Sequence, residues 1–286
     1  SVSGGCVEAA VVLEALDSLK DGQTKVLEYG VSDDDAFAVG LACGGKMRVL
    51  VEPIGKQFPI ELLKELVDAI AKDRSVIYEI NIETFRRSIV YEGYEDRIRS
   101  DRSGFKEDKI TFLNVFSPKL KMDIVGAVHI AQALVPMAKI VGFLPRIIDP
   151  RESFANRERF FSVEISNDFP DIALSNSEPN SRTAVILLTH DPKLDDPALH
   201  IALKSQAFYI GALGSRKTHE QRKVRLKNAG FTEKEINRIN GPIGLDIGAS
   251  SPEEIAISIL SEVIANLRLV KCCLLYTSPS PRDCKT

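Results

Sequence analysis

The sequence predicts a two-domain α/β protein, with an α+β domain over residues 1–109 and a parallel-sheet domain over residues 110–271. Three observations predict it. From Ile110 onward, strand-length apolar runs alternate with helical patterns, the rhythm of β–α–β units. The run at Thr183–Leu188 is apolar almost throughout, as strands covered on both faces are. A polar, turn-like stretch from Glu92 to Lys109 precedes this change of pattern and serves as the connection.

Each element has its own signal. Val7–Lys20 has the apolar spacing of an amphipathic helix and closes on Asp21-Gly22. Thr24–Tyr29 and Lys46–Glu52 are alternating or β-rich and read as strands. Pro59–Asp73 is a helix with proline near its first turn. Ser75–Ile82 and Arg87–Tyr91 are strands. In the second domain strands are expected at Leu120–Val125, Arg146–Ile148, Thr183–Leu188 and Phe208–Ile210. Helices are expected at His129–Val141, Pro197–Lys204, Arg216–Asn228, Thr232–Ile239 and Pro252–Leu269.

Composition narrows the function classes. A chain of 286 residues that is 44% hydrophobic can bury two ordinary cores. A net charge of -3 with 27% charged residues offers no basic footprint, which argues against a nucleic-acid partner. No apolar run reaches the roughly 18–20 residues that span a bilayer. The five cysteines form neither a paired framework nor a C-x-x-C, which suits a reducing compartment. The chain opens at Ser1 inside a small-residue motif, so a preceding segment is expected. Residues 272–286 include Cys273-Leu-Leu-Tyr-Thr-Ser-Pro-Ser-Pro-Arg-Asp283, which reads as the translation of a transposon-derived sequencing adapter. They are set aside as a non-native tail.

Five stretches can carry chemistry. Gly126-Ala-Val-His-Ile-Ala131 follows a strand and opens a helix, the place of a Rossmann dinucleotide fingerprint, Gly-x-Gly-x-x-Gly/Ala. Gly126 suits the tight turn and Ala131 the close helix–strand packing. Val128 stands where the middle glycine would admit a pyrophosphate, so the fold signal is stronger than the NAD(P) signal. Asp149, 23 residues after Gly126, fits the acid that receives a ribose. Gly4-Gly5-Cys6 precedes a helix, where backbone N–H groups and the helix end lower a thiol pKa. Cys43-Gly44-Gly45 repeats a thiol among glycines, and two such thiols can grip a soft metal. The alternative reading of Cys6 is a small buried cysteine packed beside a turn.

Gly211-Ala-Leu-Gly214-Ser-Arg216 can hold a phosphate through backbone N–H groups and the guanidinium, or be an ordinary strand–helix loop. Asp246 lies in Asn240-Gly-Pro-Ile-Gly-Leu-Asp246-Ile-Gly, a turn that orients a ligand or simply fixes the loop. Thr189-His190-Asp191 ends a strand where open α/β sheets bind ligands, and His190 is an acid–base candidate there. No nucleophile elbow, P-loop, triad or clustered metal-ligand pattern is present.

Ser-Val-Ser-Gly-Gly-Cys-Val-Glu, Gly-Leu-Ala-Cys-Gly-Gly, Leu-Thr-His-Asp-Pro-Lys-Leu-Asp-Asp-Pro-Ala-Leu, Phe-Tyr-Ile-Gly-Ala-Leu-Gly-Ser-Arg and Gly-Pro-Ile-Gly-Leu-Asp-Ile-Gly together resemble the XdhC/CoxI family of xanthine dehydrogenase accessory factors. The resemblance runs in order from Ser1 to about Arg268. It implies a cytoplasmic, non-enzymatic chaperone that binds molybdenum cofactor (molybdopterin) and protects its sulfurated form. The implied recipient is an apo xanthine dehydrogenase-type molybdoenzyme, with a cysteine desulfurase as sulfur source. A homo-oligomer is compatible with it. Carried over, Cys6 and Cys43 are the thiols expected at the cofactor and its metal. Gly4, Gly5, Gly44, Gly45, Gly126, Asp149, Gly214, Arg216 and Asp246 complete the expected site. Many members carry Gly-Ala-Gly-His where this chain has Gly-Ala-Val-His, which weakens dinucleotide binding without weakening the fold. The competing readings are an NAD(P)-dependent oxidoreductase using Asp149 and His190, and a purely structural assembly factor.

Overall fold

The computed structural model describes residues 7–30, 46–72 and 74–268. The chain divides into two compact units, Ser1–Pro118 and Lys119–Thr286.

The first unit begins with α1 (Glu8–Asp21), which stops where Gly22 takes a left-handed conformation and its N–H caps Ser18 O. β1 (Lys25–Tyr29) and β2 (Met47–Val51) pair antiparallel. After α2 (Ile60–Ala71), β3 (Val76–Asn81) pairs antiparallel with β4 (Arg87–Val90). α3 (Glu95–Ser100), β5 (Gly104–Phe105) and β6 (Thr111–Phe116) follow, completing a sheet of order β4-β3-β6-β5. The stretch 92–109 is therefore not only connection, because α3 and β5 lie within it. Thr111–Phe116, also outside the expected strands, pairs with β3 along six residues. The units accordingly divide at Pro118/Lys119, where the sequence placed a boundary at 109/110. Phe58, Leu66, Ala69, Val76, Tyr78 and Ile80 form this unit's core.

The second unit is a six-stranded, wholly parallel sheet. Its strands are β7 (Leu120–Val125), β8 (Phe143–Ile148), β9 (Glu164–Ser166), β10 (Thr183–Leu187), β11 (Tyr209–Ala212) and β12 (Ile239–Asn240), in the order β12-β11-β10-β7-β8-β9. The chain moves outward from β7 to β9, returns to the other side of β7, and moves outward again. That is the Rossmann order, and its switch point lies between β7 and β10.

Alternation of side chains supplies two cores from one sheet. Met122, Ile124, Ala184 and Ile186 join the core under α4 (His129–Ile140) and α9 (Pro252–Leu267). Val125, Val185 and Leu187 join the core under α5 (Pro170–Asn176), α6 (Pro192–Lys204), α7 (Arg216–Asn228) and α8 (Glu233–Ile236). Each Val, Leu, Ile or Met side chain among them contributes roughly 1.5–3 kcal/mol over exposure. α6 begins at Pro192, because Asp191 accepts from Lys193 N–H at 2.9 Å and proline suits the first helical position. α8 is shorter than the expected Thr232–Ile239. The Thr232–Glu235 capping box starts it, and Ile239 belongs to β12, paired with Ile210. Among the described residues, no helix is long and apolar enough to cross a membrane.

Candidate functional site

Five loops leave the carboxyl ends of the parallel strands, the edge at which open α/β sheets bind ligands. They carry Gly126 after β7, Asp149 after β8, Thr189–Asp191 after β10, Gly214 and Arg216 after β11, and Asp246 after β12. A chain of direct contacts connects four of them.

Gly126 has φ +110, and a Cβ there would lie 2.7 Å from Thr189 Cγ2 and 3.1 Å from Thr189 N. Only glycine lets the β7 turn and the β10 loop approach this closely. The neighbouring Ala127 N–H donates to Asp149 Oδ2 at 2.9 Å, which ties the turn to the end of β8. Val128 is the N-cap of α4, and no side chain caps that helix, which leaves its first N–H groups without a side-chain acceptor.

On the other side of the crevice, Thr189 Oγ1 donates to Asp195 Oδ1. Asp195 Oδ2 faces Arg222 Nη2 at 3.5 Å, and Nη2 also donates to Leu213 O at 2.9 Å. Both charged side chains are nearly fully buried, 3% and 1% exposed. Burial pushes the Asp195 carboxyl up and the Arg222 guanidinium down, each against the attraction of its partner. Arg222 Nη1 lies 3.5 Å from His219 Nδ1. That imidazole is buried beneath Gly241, where a Cβ would sit 2.2 Å from Nδ1. Burial, then the charges of Lys223 and Arg222, hold His219 below its ordinary pKa.

The last loop sits on β11. Ile243 N–H donates to Ala212 O at 3.2 Å, and Gly244 N–H donates to Glu262 Oε2 at 2.9 Å. Glu262 also accepts from the Tyr209 hydroxyl, whose pKa burial raises well above the usual value.

The expected site residues therefore fare differently. Gly126 and Gly214 lie in loops joined by the Thr189–Asp195–Arg222 contacts, and Arg222 Nη2 is 3.8 Å from the Cβ position of Gly214. Arg216 is exposed at the first position of α7, whose N-cap Ser215 accepts from Thr218 N–H. Asp246 is exposed beyond Gly244. Asp149 is fully buried and engaged by Arg151. His190 is exposed with φ +60, a conformation rare outside glycine. Gly4, Gly5, Cys6, Cys43, Gly44, Gly45 and the tail 272–286 lie outside the described residues. Among the described residues, no group of three or more His, Cys, Asp or Glu is placed to hold a metal.

Asp195, Arg222, Arg151 and Glu262 are missing from the sequence reading. Arg151 had a local signal, the Asp149-Pro-Arg151 spacing at a strand end. Arg222 had none, because it reads as a solvated charge on a polar helix, and Asp195 stands before the helix expected from Pro197, in a stretch that carries the family resemblance but marks no role for it.

The uncapped α4 terminus, the glycine-lined approaches and the exposed Arg216 suit a ligand that carries an anionic group. Comparison with known proteins identifies the family. The family model described as the XdhC Rossmann domain matches residues 122–263, and that of the XdhC and CoxI family matches residues 1–30. The chain is 29% identical over 268 residues to the molybdenum cofactor insertion chaperone PaoD of Escherichia coli (strain K12), covering 94% of this chain and 74% of that protein. It is 25% identical over 287 residues to a probable xanthine dehydrogenase subunit of Bacillus subtilis (strain 168), covering 94% and 84%. A crystal structure described as that of a xanthine dehydrogenase from Bacillus halodurans matches 96% of this chain and 84% of that one, with a TM-score of 0.71 and 27% identity. With residues 1–30 matched by one family model and residues 122–263 by the other, in that order along the chain, the chain belongs to the XdhC and CoxI family.

Proposed function

We propose that this protein is a chaperone for molybdenum cofactor that binds the sulfurated cofactor and delivers it to a xanthine dehydrogenase-type apoenzyme. The observation that carries the reading is the similarity, across 94% of the chain, to a protein named for molybdenum cofactor insertion. The cofactor supplies a terminal phosphate and a soft metal centre when bound. The donor set of the crevice is compatible with the phosphate: backbone N–H groups at the uncapped start of α4, the Gly214 loop and the Arg216 guanidinium. Cys6 and Cys43 are the proposed thiols for the soft metal and its sulfur. The buried Asp195–Arg222 pair holds the β10 and β11 loops in register around this crevice. A cysteine desulfurase is the proposed sulfur donor, and a cytoplasmic setting is proposed from the same reading.

The test is a transfer assay. Cofactor-free xanthine dehydrogenase-type enzyme is incubated with cofactor, with and without this protein, and the sulfurated, active fraction is counted. A higher active fraction with the protein than without it supports the chaperone reading. Equal fractions with and without a folded protein would remove it.

A further inference from the structure

Asp149 stands where a dinucleotide-binding fold presents the acid that receives a ribose diol. Its side chain is 0% exposed and already holds four donors. Oδ1 accepts from the Arg151 backbone N–H at 3.0 Å and from Arg151 Nε at 2.8 Å. Oδ2 accepts from Ala127 N–H at 2.9 Å and from Arg151 Nη2 at 2.7 Å. An ionised carboxylate offers about four lone-pair directions, so none remains for a diol.

The opposing group is itself fixed. The Arg151 guanidinium stacks over the Phe154 ring at 4.4 Å and presents its flat fork to both carboxylate oxygens. Only Pro150 separates the partners, so the fork closes without ordering a long segment. Burial alone would push the Asp149 carboxyl up, yet the donors from Arg151 and Ala127 hold it below the usual carboxylate range. The acid stays ionised and the fork stays closed at neutral pH. The β-branched Val128 stands at the position of the pyrophosphate glycine, partly buried against the core that also packs α4.

We propose that Arg151 is the specificity-determining residue of this crevice: its forked ion pair withdraws Asp149 from ribose, so that NAD and NADP are both excluded. The inference rests on the crevice being the ligand site of the proposed chaperone. Its test uses no molybdenum cofactor, so either reading can fail alone.

The experiment titrates the full chain with NADH and with NADPH, following nucleotide fluorescence. Wild type is expected to show no saturation below about 1 mM. Arg151→Gln, and Arg151→Gln combined with Val128→Gly, should tighten NADH binding by at least about tenfold. Adding Asp149→Asn to either should remove the gain, because the freed acid is what receives the diol. Arg151→Lys keeps the charge and loses the fork, and should show a smaller gain in the same direction. Saturation of wild type by NADH in the micromolar range would overturn the proposal. So would a wild-type preference for NADPH, which would make Arg151 a reader of the 2′-phosphate, or the absence of any gain in folded Arg151 variants.

Discussion

Arg222 Nη2 lies 3.5 Å from Asp195 Oδ2, inside the protein and across 27 residues of sequence. Through this pair the Thr189 hydroxyl, on the loop after β10, is coupled to the Leu213 carbonyl, on the loop after β11. Breaking one side strands a buried charge, which costs about 3–5 kcal/mol. Arg222→Met should therefore lower the urea midpoint steeply. The double variant Asp195→Asn/Arg222→Met should cost clearly less than the two single changes added together. Strict additivity would contradict the coupling.

Gly126 joins the β7 turn to Thr189. Gly126→Ala places a methyl group 2.7 Å from Thr189 Cγ2 and 3.1 Å from the Thr189 backbone, at a φ of +110 that alanine resists. A cost of roughly 1–3 kcal/mol follows from the strained backbone. Urea unfolding checks it, and an unchanged midpoint would show that the two loops separate freely.

His219 makes stability depend on pH. Its pKa in the folded protein is depressed from 6.5 by burial first and by neighbouring cations second. The unfolded chain therefore binds a proton more readily than the folded one. Stability is fully present above 6.5 and is lost as pH falls through the folded pKa. Asp195, pushed above 3.8 by burial, acts in the opposite sense, so the bare slope does not isolate the imidazole. Urea midpoints of wild type and His219→Gln between about pH 7 and pH 5 separate them. The variant should lose less stability on acidification, and parallel curves would contradict the assignment.

Tyr209 and the Gly244 N–H share Glu262. Tyr209→Phe removes the hydroxyl donor that shares the Glu262 carboxylate with the Gly244 N–H, at a cost of about 1–2 kcal/mol. The expected readout is a lower melting temperature together with faster amide exchange at Gly244. Unchanged exchange there would detach the tyrosine from the loop.

The sheet was legible where period and caps are long enough to speak. β7 and α7 lie where the apolar run and the helical pattern place them, at Leu120–Val125 and Arg216–Asn228. Short elements left no period to read: β9 has three residues, and β12 has two, which the sequence reading absorbs into a helix. Starting α6 at Pro197 overlooks the Asp191–Pro192 cap, because a proline inside a helix resembles a first-turn proline. The site was legible at its glycines, since Gly126 and Gly214 announce turns. Its buried charges were not. Arg222 and Asp195 meet only after α6 and α7 pack on the same face of the sheet, and nothing local marks them as partners. Asp149 was found by its spacing, but its partner was not weighed, and that partner decides what the acid can bind.

The central claim is that the chain holds molybdenum cofactor. The most direct measurement titrates the full chain with the cofactor, desalts it, and counts the pterin retained, beside Cys6→Ser, Cys43→Ser and Arg216→Ala. Wild type is expected to retain pterin near-stoichiometrically, and each variant to lose it with the melting temperature unchanged. A well-folded wild type that retains no pterin would contradict it.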